Sequence, residues 1–105
     1  MNDKMGWFPP LEEALGHTPQ IKILCFMMAH KFNDYSIQEI AKSILMTRQT
    51  VSQSIKSLIR YKLIKENRMI GHTTLYKFDV RYPQAKAMQD LNKELIKIIV
   101  AEEKK

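Results

Sequence analysis

Ser36-Ile37-Gln38-Glu39-Ile40-Ala41-Lys42-Ser43-Ile44, then Leu45-Met46, then Thr47-Arg48-Gln49-Thr50-Val51-Ser52-Gln53-Ser54-Ile55-Lys56-Ser57-Leu58: this stretch decides the fold. Ser36 has the hydroxyl that an N-cap needs, and Glu39 stands where a capping box wants its carboxylate. Ile37, Ile40, Ala41 and Ile44 then repeat at helical spacing and form one apolar stripe. Thr47 is a second cap. The helix it opens runs from Arg48 to about Lys62, with Val51, Ile55, Leu58 and Ile59 facing inward. The link between the two helices, Leu45-Met46, is so short that the second must cross the first at once. Two helices joined by such a turn form the helix-turn-helix arrangement.

Outward from this pair, the spacing predicts two more helices upstream. Thr18-Pro19 is a strong start, with a capping hydroxyl and a proline suited to the first turn. Ile21, Leu24, Cys25 and Met28 continue it as an apolar face to about His30. A short helix is predicted from Leu11 to Leu15, stopping at Gly16. Residues 1–10 read as an arm whose Trp7 and Phe8 dock on the domain or on a second subunit. Downstream, Leu63-Ile64-Lys65-Glu66 switches to strand, Gly71 marks a turn, and Thr74 to Val80 alternates. Tyr76, Phe78 and Val80 are expected on one face of that strand and Leu75, Lys77 and Asp79 on the other. After Tyr82-Pro83 a long helix is expected from Gln84 to Glu103. Its Met88, Leu91, Leu95, Ile98 and Ile99 share a side. The fold class is thus mainly α with a small β-hairpin. The expected divisions are an arm and short helix at 1–17, the helix-turn-helix with its hairpin at 18–80, and the C-terminal helix at 81–105.

The chain has 105 residues, enough for one domain, and 45% are apolar, too many for a disordered chain. No signal peptide and no membrane span is legible, so a soluble cytoplasmic protein is expected. Cys25, the sole cysteine, cannot form an internal disulfide and reads as a buried inert thiol. The net charge is +6, which points to a polyanionic partner. Residues 36–77 contain Lys42, Arg48, Lys56, Arg60, Lys62, Lys65, Arg68 and Lys77 against only Glu39 and Glu66. That segment carries a net +6, the whole excess of the chain, and elsewhere bases and acids balance.

With Val51, Ile55 and Leu58 turned inward, the outer face of their helix carries Arg48, Gln49, Ser52, Gln53 and Lys56. Arg pairs with guanine and Gln with adenine through two hydrogen bonds each. Ser, Thr and Lys suit phosphates, which adds Ser36, Thr47, Thr50 and Lys65 to the candidates for contact with DNA. A solvated helix face would also be polar, but it would mix charge signs. Between Glu39 and Glu66 there is no acid at all.

These motifs resemble the winged helix-turn-helix family of bacterial and archaeal transcriptional regulators, and within it small MarR-like or ArsR-like domains of archaeal type. The resemblance rests on residues 36–44, 47–58, 62–66 and the Gly71-His72-Thr73-Thr74-Leu75-Tyr76-Lys77-Phe78 return, about two-thirds of the chain. It implies a winged helix-turn-helix that binds double-stranded DNA, with the hairpin as wing. It also implies that Arg68 and His72, beside the wing turn, reach the minor groove or the backbone. The sequence departs from the family at Ile44-Leu45-Met46, where a small residue or glycine is usual.

The last helix must bury its apolar face. A two-fold partner is expected there, making Met88, Leu91, Leu95, Ile98 and Ile99 the dimer interface of a homodimeric regulator. No catalytic group, phosphate-binding loop or metal-ligand spacing is present, so no enzyme activity, cofactor or metal is expected. Any small-molecule effector is left open. Two competing readings use the same fold: a winged-helix protein-interaction module of a transcription or replication assembly, and a nonspecific chromatin protein.

Overall fold

The computed structural model describes residues 8–104, so Trp7 lies outside the described residues. Its elements are α1 (Pro10–Leu15), α2 (Pro19–Ala29), α3 (Ile37–Ile44), α4 (Arg48–Arg60), β1 (Lys65–Ile70), β2 (Thr73–Lys77) and α5 (Pro83–Glu103). Each of the three central helices starts where a side chain caps it. Thr18 Oγ1 accepts from the Ile21 amide at 3.2 Å and Thr47 Oγ1 from the Thr50 amide at 3.1 Å. Ser36 and Glu39 close the full capping box, at 3.1 and 2.9 Å.

The core lies between α2, α3 and α4. Ile23, Leu24, Met27, Ile40, Val51 and Ile55 meet there, each at most 2% exposed. Full burial of one such side chain contributes about 1.5–3 kcal/mol. Ile64 just before β1, Phe78 just after β2 and Ala85 at the start of α5 close this core, and Leu11 closes it from α1. The arm's Phe8 docks on the domain, its ring centroid 4.3 Å from that of His17. Among the described residues no helix is long and apolar enough to cross a membrane.

Both turns that bracket α4 use a left-handed residue that is not glycine. Leu45 (φ 59°, ψ 48°) ends α3, with its amide and that of Met46 both returning to the Ala41 carbonyl. Lys62 (φ 66°) ends α4. There the Lys62 amide donates to the Ile59 carbonyl at 3.1 Å and the Leu63 amide to Leu58 at 2.9 Å. This is the Schellman pattern, which closes the helix but ordinarily places glycine at the left-handed position.

The Schellman turn corrects the expected start of the hairpin. Leu63 and Ile64 belong to the exit of α4, because the amides of both return to the Leu58 carbonyl. Strand β1 begins at Lys65 instead of Leu63 and continues to Ile70. It pairs antiparallel with β2 from Lys65↔Lys77 to Ile70↔Thr73, with a bulge at Asn67. Gly71 (φ 61°) and His72 form the two-residue loop, and glycine supplies its positive φ without strain. The chain before α3 adds a third rung, since Tyr35 and Tyr76 exchange backbone hydrogen bonds at 2.8 Å each.

The expected alternation of Thr74 to Val80 is also corrected. Strand β2 stops at Lys77, so the period of two does not continue through Val80. Leu75 and Asp79, expected on the face opposite Phe78 and Val80, are 8% and 7% exposed, whereas Val80 is 37% exposed. Asp79 turns inward because it has cationic partners there. Arg81 donates to its carboxylate through Nε and Nη2, and Lys65 Nζ lies 3.0 Å from Oδ2.

Candidate nucleic-acid interface

Helix α4 is amphipathic in the expected sense. Val51, Ser54, Ile55 and Leu58 are buried. Arg48, Gln49, Ser52, Gln53 and Lys56 are exposed, with no side-chain hydrogen bond or ion pair among the described residues. Their spacing places them together on the solvent side of a helix held from behind by α2, α3 and β1. Five polar groups on a rigid support are thus open to a partner, and none is an acid.

The hydroxyl residues at the helix starts are already engaged. Ser36 and Thr47 use their oxygens as caps, and Thr47 also donates to Thr50 Oγ1 at 2.9 Å. They fix the starts of α3 and α4, and Thr50 is half-buried. Lys65 is drawn inward by Asp79 and its side chain is 20% exposed.

On the wing, His72 is exposed at the loop. Arg68 is exposed but not unattended: its Nε donates to Asp34 Oδ2 at 2.8 Å and its Nη2 to Oδ1 at 3.3 Å. The Arg68 hydrogen bonds, seconded by Asn67, hold the Asp34 carboxyl down at about 2, so it is ionised at all ordinary pH values. Sequence reasoning missed Asp34. It is the one acid between Glu13 and Glu39, just ahead of the basic segment, but its partners lie more than thirty residues downstream.

The residues expected at the dimer interface divide into two groups. Met88 and Leu95 are half-buried and pack against the chain's own core. Leu91 and Ile98 are 42% and 55% exposed, and so are Ile96 and Val100 at 41% and 43%. Leu95, Ile98 and Ile99 also line a groove of about 280 Å³ with Pro10, Glu13 and Ala14 of α1.

Elsewhere, Glu12 is buried against His17 Nδ1 and Lys22 Nζ, each 2.7 Å from Oε2. Burial pushes its carboxyl up, but the hydrogen bonds from Lys22 and His17 outweigh this and the net shift is downward. Burial pushes the Cys25 thiol up to about 11, which keeps it protonated and unreactive. Among the described residues no group of three or more His, Cys, Asp or Glu is placed to hold a metal ion.

No protein-family model and no curated protein matches the chain. Solved structures do. MepR of Staphylococcus aureus, a transcription regulator of the multidrug efflux pump MepA, aligns over 88% of this chain and 69% of its own, with 22% identity and a TM-score of 0.61. A mutant of MepR bound to an oligodeoxyribonucleotide aligns equally well. HlyU of Vibrio cholerae covers 82% of this chain and 84% of its own, at 23% identity and a TM-score of 0.58. The homodimeric winged helix-turn-helix DNA-binding domain of Mb0332 from Mycobacterium bovis covers 90% and 76%, at 18% identity and a TM-score of 0.53. Helix pair, hairpin and flanking helices together give this chain the winged helix-turn-helix fold of these regulators.

Proposed function

We propose that the protein is a transcriptional regulator that binds double-stranded DNA sequence-specifically as a cytoplasmic homodimer. Helix α4 enters the major groove, and the wing lies on the minor groove or backbone. The single observation that carries this reading is the outer face of α4. Arg48, Gln49, Ser52, Gln53 and Lys56 stand open and free of acids on a winged-helix support. Arg48, Gln49 and Gln53 have the donor and acceptor sets to read bases, and Lys56 and Ser52 those to hold phosphates. By sequence the net charge of +6 lies in residues 36–77; Lys65 and Arg68 are paired with Asp79 and Asp34, and Arg48 and Lys56 stay open on α4 to attract a polyanion.

The homodimer part of the proposal is supported by the outer side of α5. Leu91 and Ile98, seven residues apart on one face, remain open there after Met88 and Leu95 have packed at home. Two copies joined through α5 present two α4 helices, which suits a palindromic site with half-sites about one helical turn apart.

The test is selection from a random duplex pool at about 0.15 M salt, where nonspecific phosphate contacts are already weakened. Enrichment of a palindromic motif is expected. Binding without enrichment would instead mark a chromatin-type protein. No binding at all would transfer the fold to a protein-interaction role.

A further inference from the structure

The wing arginine is gripped by a carboxylate that belongs neither to the helix-turn-helix nor to the wing. Asp34, in the loop between α2 and α3, accepts from Arg68 Nε at 2.8 Å and Nη2 at 3.3 Å, and from Asn67 Nδ2 at 2.8 Å. Successive residues of a regular strand point to opposite faces, so Asn67 and Arg68 would not both reach one carboxylate. The bulge at Asn67 breaks that rule locally and re-aims the side chains. Asp34 itself is held from behind, because the adjacent Tyr35 is locked to β2 through Tyr76 by two backbone bonds of 2.8 Å. The contact is therefore between two fixed pieces of backbone.

The chemistry of the grip leaves a free edge. A guanidinium has five N–H donors in one plane. Asp34 takes the Nε donor and one Nη2 donor, which lie along one edge. The two Nη1 donors and the second Nη2 donor form the other edge. The Asp34 side chain is 12% exposed and that of Arg68 60%, so the carboxylate lies inside and the free donors lie outside.

We infer that Asp34 is a positioning residue for DNA recognition, clipping the inner edge of Arg68 so that its outer edge is presented to the duplex. This rests on the DNA-binding role proposed above. Such a clip fixes a long side chain before binding and spares its ordering then. A lysine could not serve both partners in this way, because its ammonium is a compact point charge without two distinct edges.

The test uses the full chain and a duplex obtained from the random-pool selection, with affinity read by fluorescence anisotropy. Asp34→Ala should weaken binding about tenfold, by about as much as Arg68→Ala. The double variant should be no weaker than Arg68→Ala alone. Asp34→Ala combined with Arg48→Ala should instead be additive, since Arg48 has no contact with the clip; a general loss of folding would not distinguish the two arginines. Asp34→Asn keeps an acceptor oxygen and should fall between Asp34→Ala and wild type. Arg68→Lys should behave like Arg68→Ala. The inference is overturned if Asp34→Ala binds as tightly as wild type or more tightly, which would mean that the carboxylate masks the arginine. It is overturned equally if Arg68→Ala costs nothing. Absence of binding by the wild-type chain to any duplex is a different result, since it removes the DNA-binding role itself and the inference with it.

Discussion

Helices α4 and α5 both carry an apolar face and a charged one, but they end with opposite faces open. In α4 the apolar side is enclosed: Val51, Ile55 and Leu58 are 0%, 2% and 4% exposed. Its polar side remains free. In α5 only Ala85 and Gln89 are buried, while Leu91 and Ile98, which share a face seven residues apart, are 42% and 55% exposed. The difference lies in what surrounds each helix. Helix α4 is packed by α2, α3 and β1, whereas α5 has the six-residue α1 as its main helical neighbour. Periodicity thus reports that a helix has an apolar face, and the neighbouring elements decide whether the chain itself covers it. The open face of α4 suits a polyanion. The open face of α5 suits another apolar surface.

The largest expected effect tests the enclosed side. Ile55→Ala should cost about 2–5 kcal/mol, the range for deleting most of a buried aliphatic side chain. Leu91→Ala, measured under monomeric conditions, should cost less than about 1 kcal/mol. Urea denaturation of both variants makes the comparison, and equal losses would erase the distinction between the helices.

The next largest effect is on assembly. Leu91→Glu with Ile98→Glu places two charges on the open face of α5 and should give a monomer with unchanged helical content, read by sedimentation and circular dichroism. These positions are chosen over Leu95 because Leu95 packs on the chain's own core. A double variant that sediments as a dimer would place the interface elsewhere.

The same contrast explains how much was legible in the sequence. Helices α2, α3 and α4 were readable almost to the residue because their signals are local: Thr18, Ser36 and Thr47 cap the helices whose apolar stripes follow. The core face of α4 followed from spacing alone. The start of β1 did not, because the turn at Lys62 is made by a residue type that does not announce a left-handed conformation. The inward turn of Asp79 was hidden for another reason. Arg81 is near in sequence, but Lys65 reaches it from the opposite strand. Asp34 was hidden in the same way, since Asn67 and Arg68 reach it from the wing. At the candidate interface, residue type identified the open groups of α4. It did not show that Lys65 is drawn inward or that Arg68 is held.

Asp79 lies on the seam between the hairpin and α5, and it sharpens the comparison through pH. The Arg81 hydrogen bonds and the Lys65 contact lower its carboxyl well below the usual range, against the opposing effect of burial. A depressed folded-state value means that the ion pairs stabilise fully above the unfolded value of about 3.9 and lose that effect as pH falls through the folded value. Asp79→Asn removes the charge at every pH. The stability gap between wild type and Asp79→Asn should therefore be constant from about pH 7 to 5 and shrink below about pH 4. Urea midpoints across that range provide the measurement, and a gap independent of pH would assign the effect of Asp79 to packing.

The smallest effect concerns the entry to α4. Leu45 is 91% exposed and left-handed, so its side chain gains little burial while its backbone is strained. The left-handed conformation costs an ordinary residue about 1–2 kcal/mol. Glycine would remove that cost but lose about 0.5–1 kcal/mol through the added freedom of the unfolded chain. Leu45→Gly should therefore stabilise the fold by about 0.5 kcal/mol. A melting temperature raised by about 2–4 °C would show it. The substitution leaves the outer face of α4 untouched, so DNA affinity should follow only if Leu45 does nothing but turn the chain. A stabilised variant with weakened binding would make the exposed leucine part of the recognition surface, extending the open side of α4 by one apolar group into the turn before it.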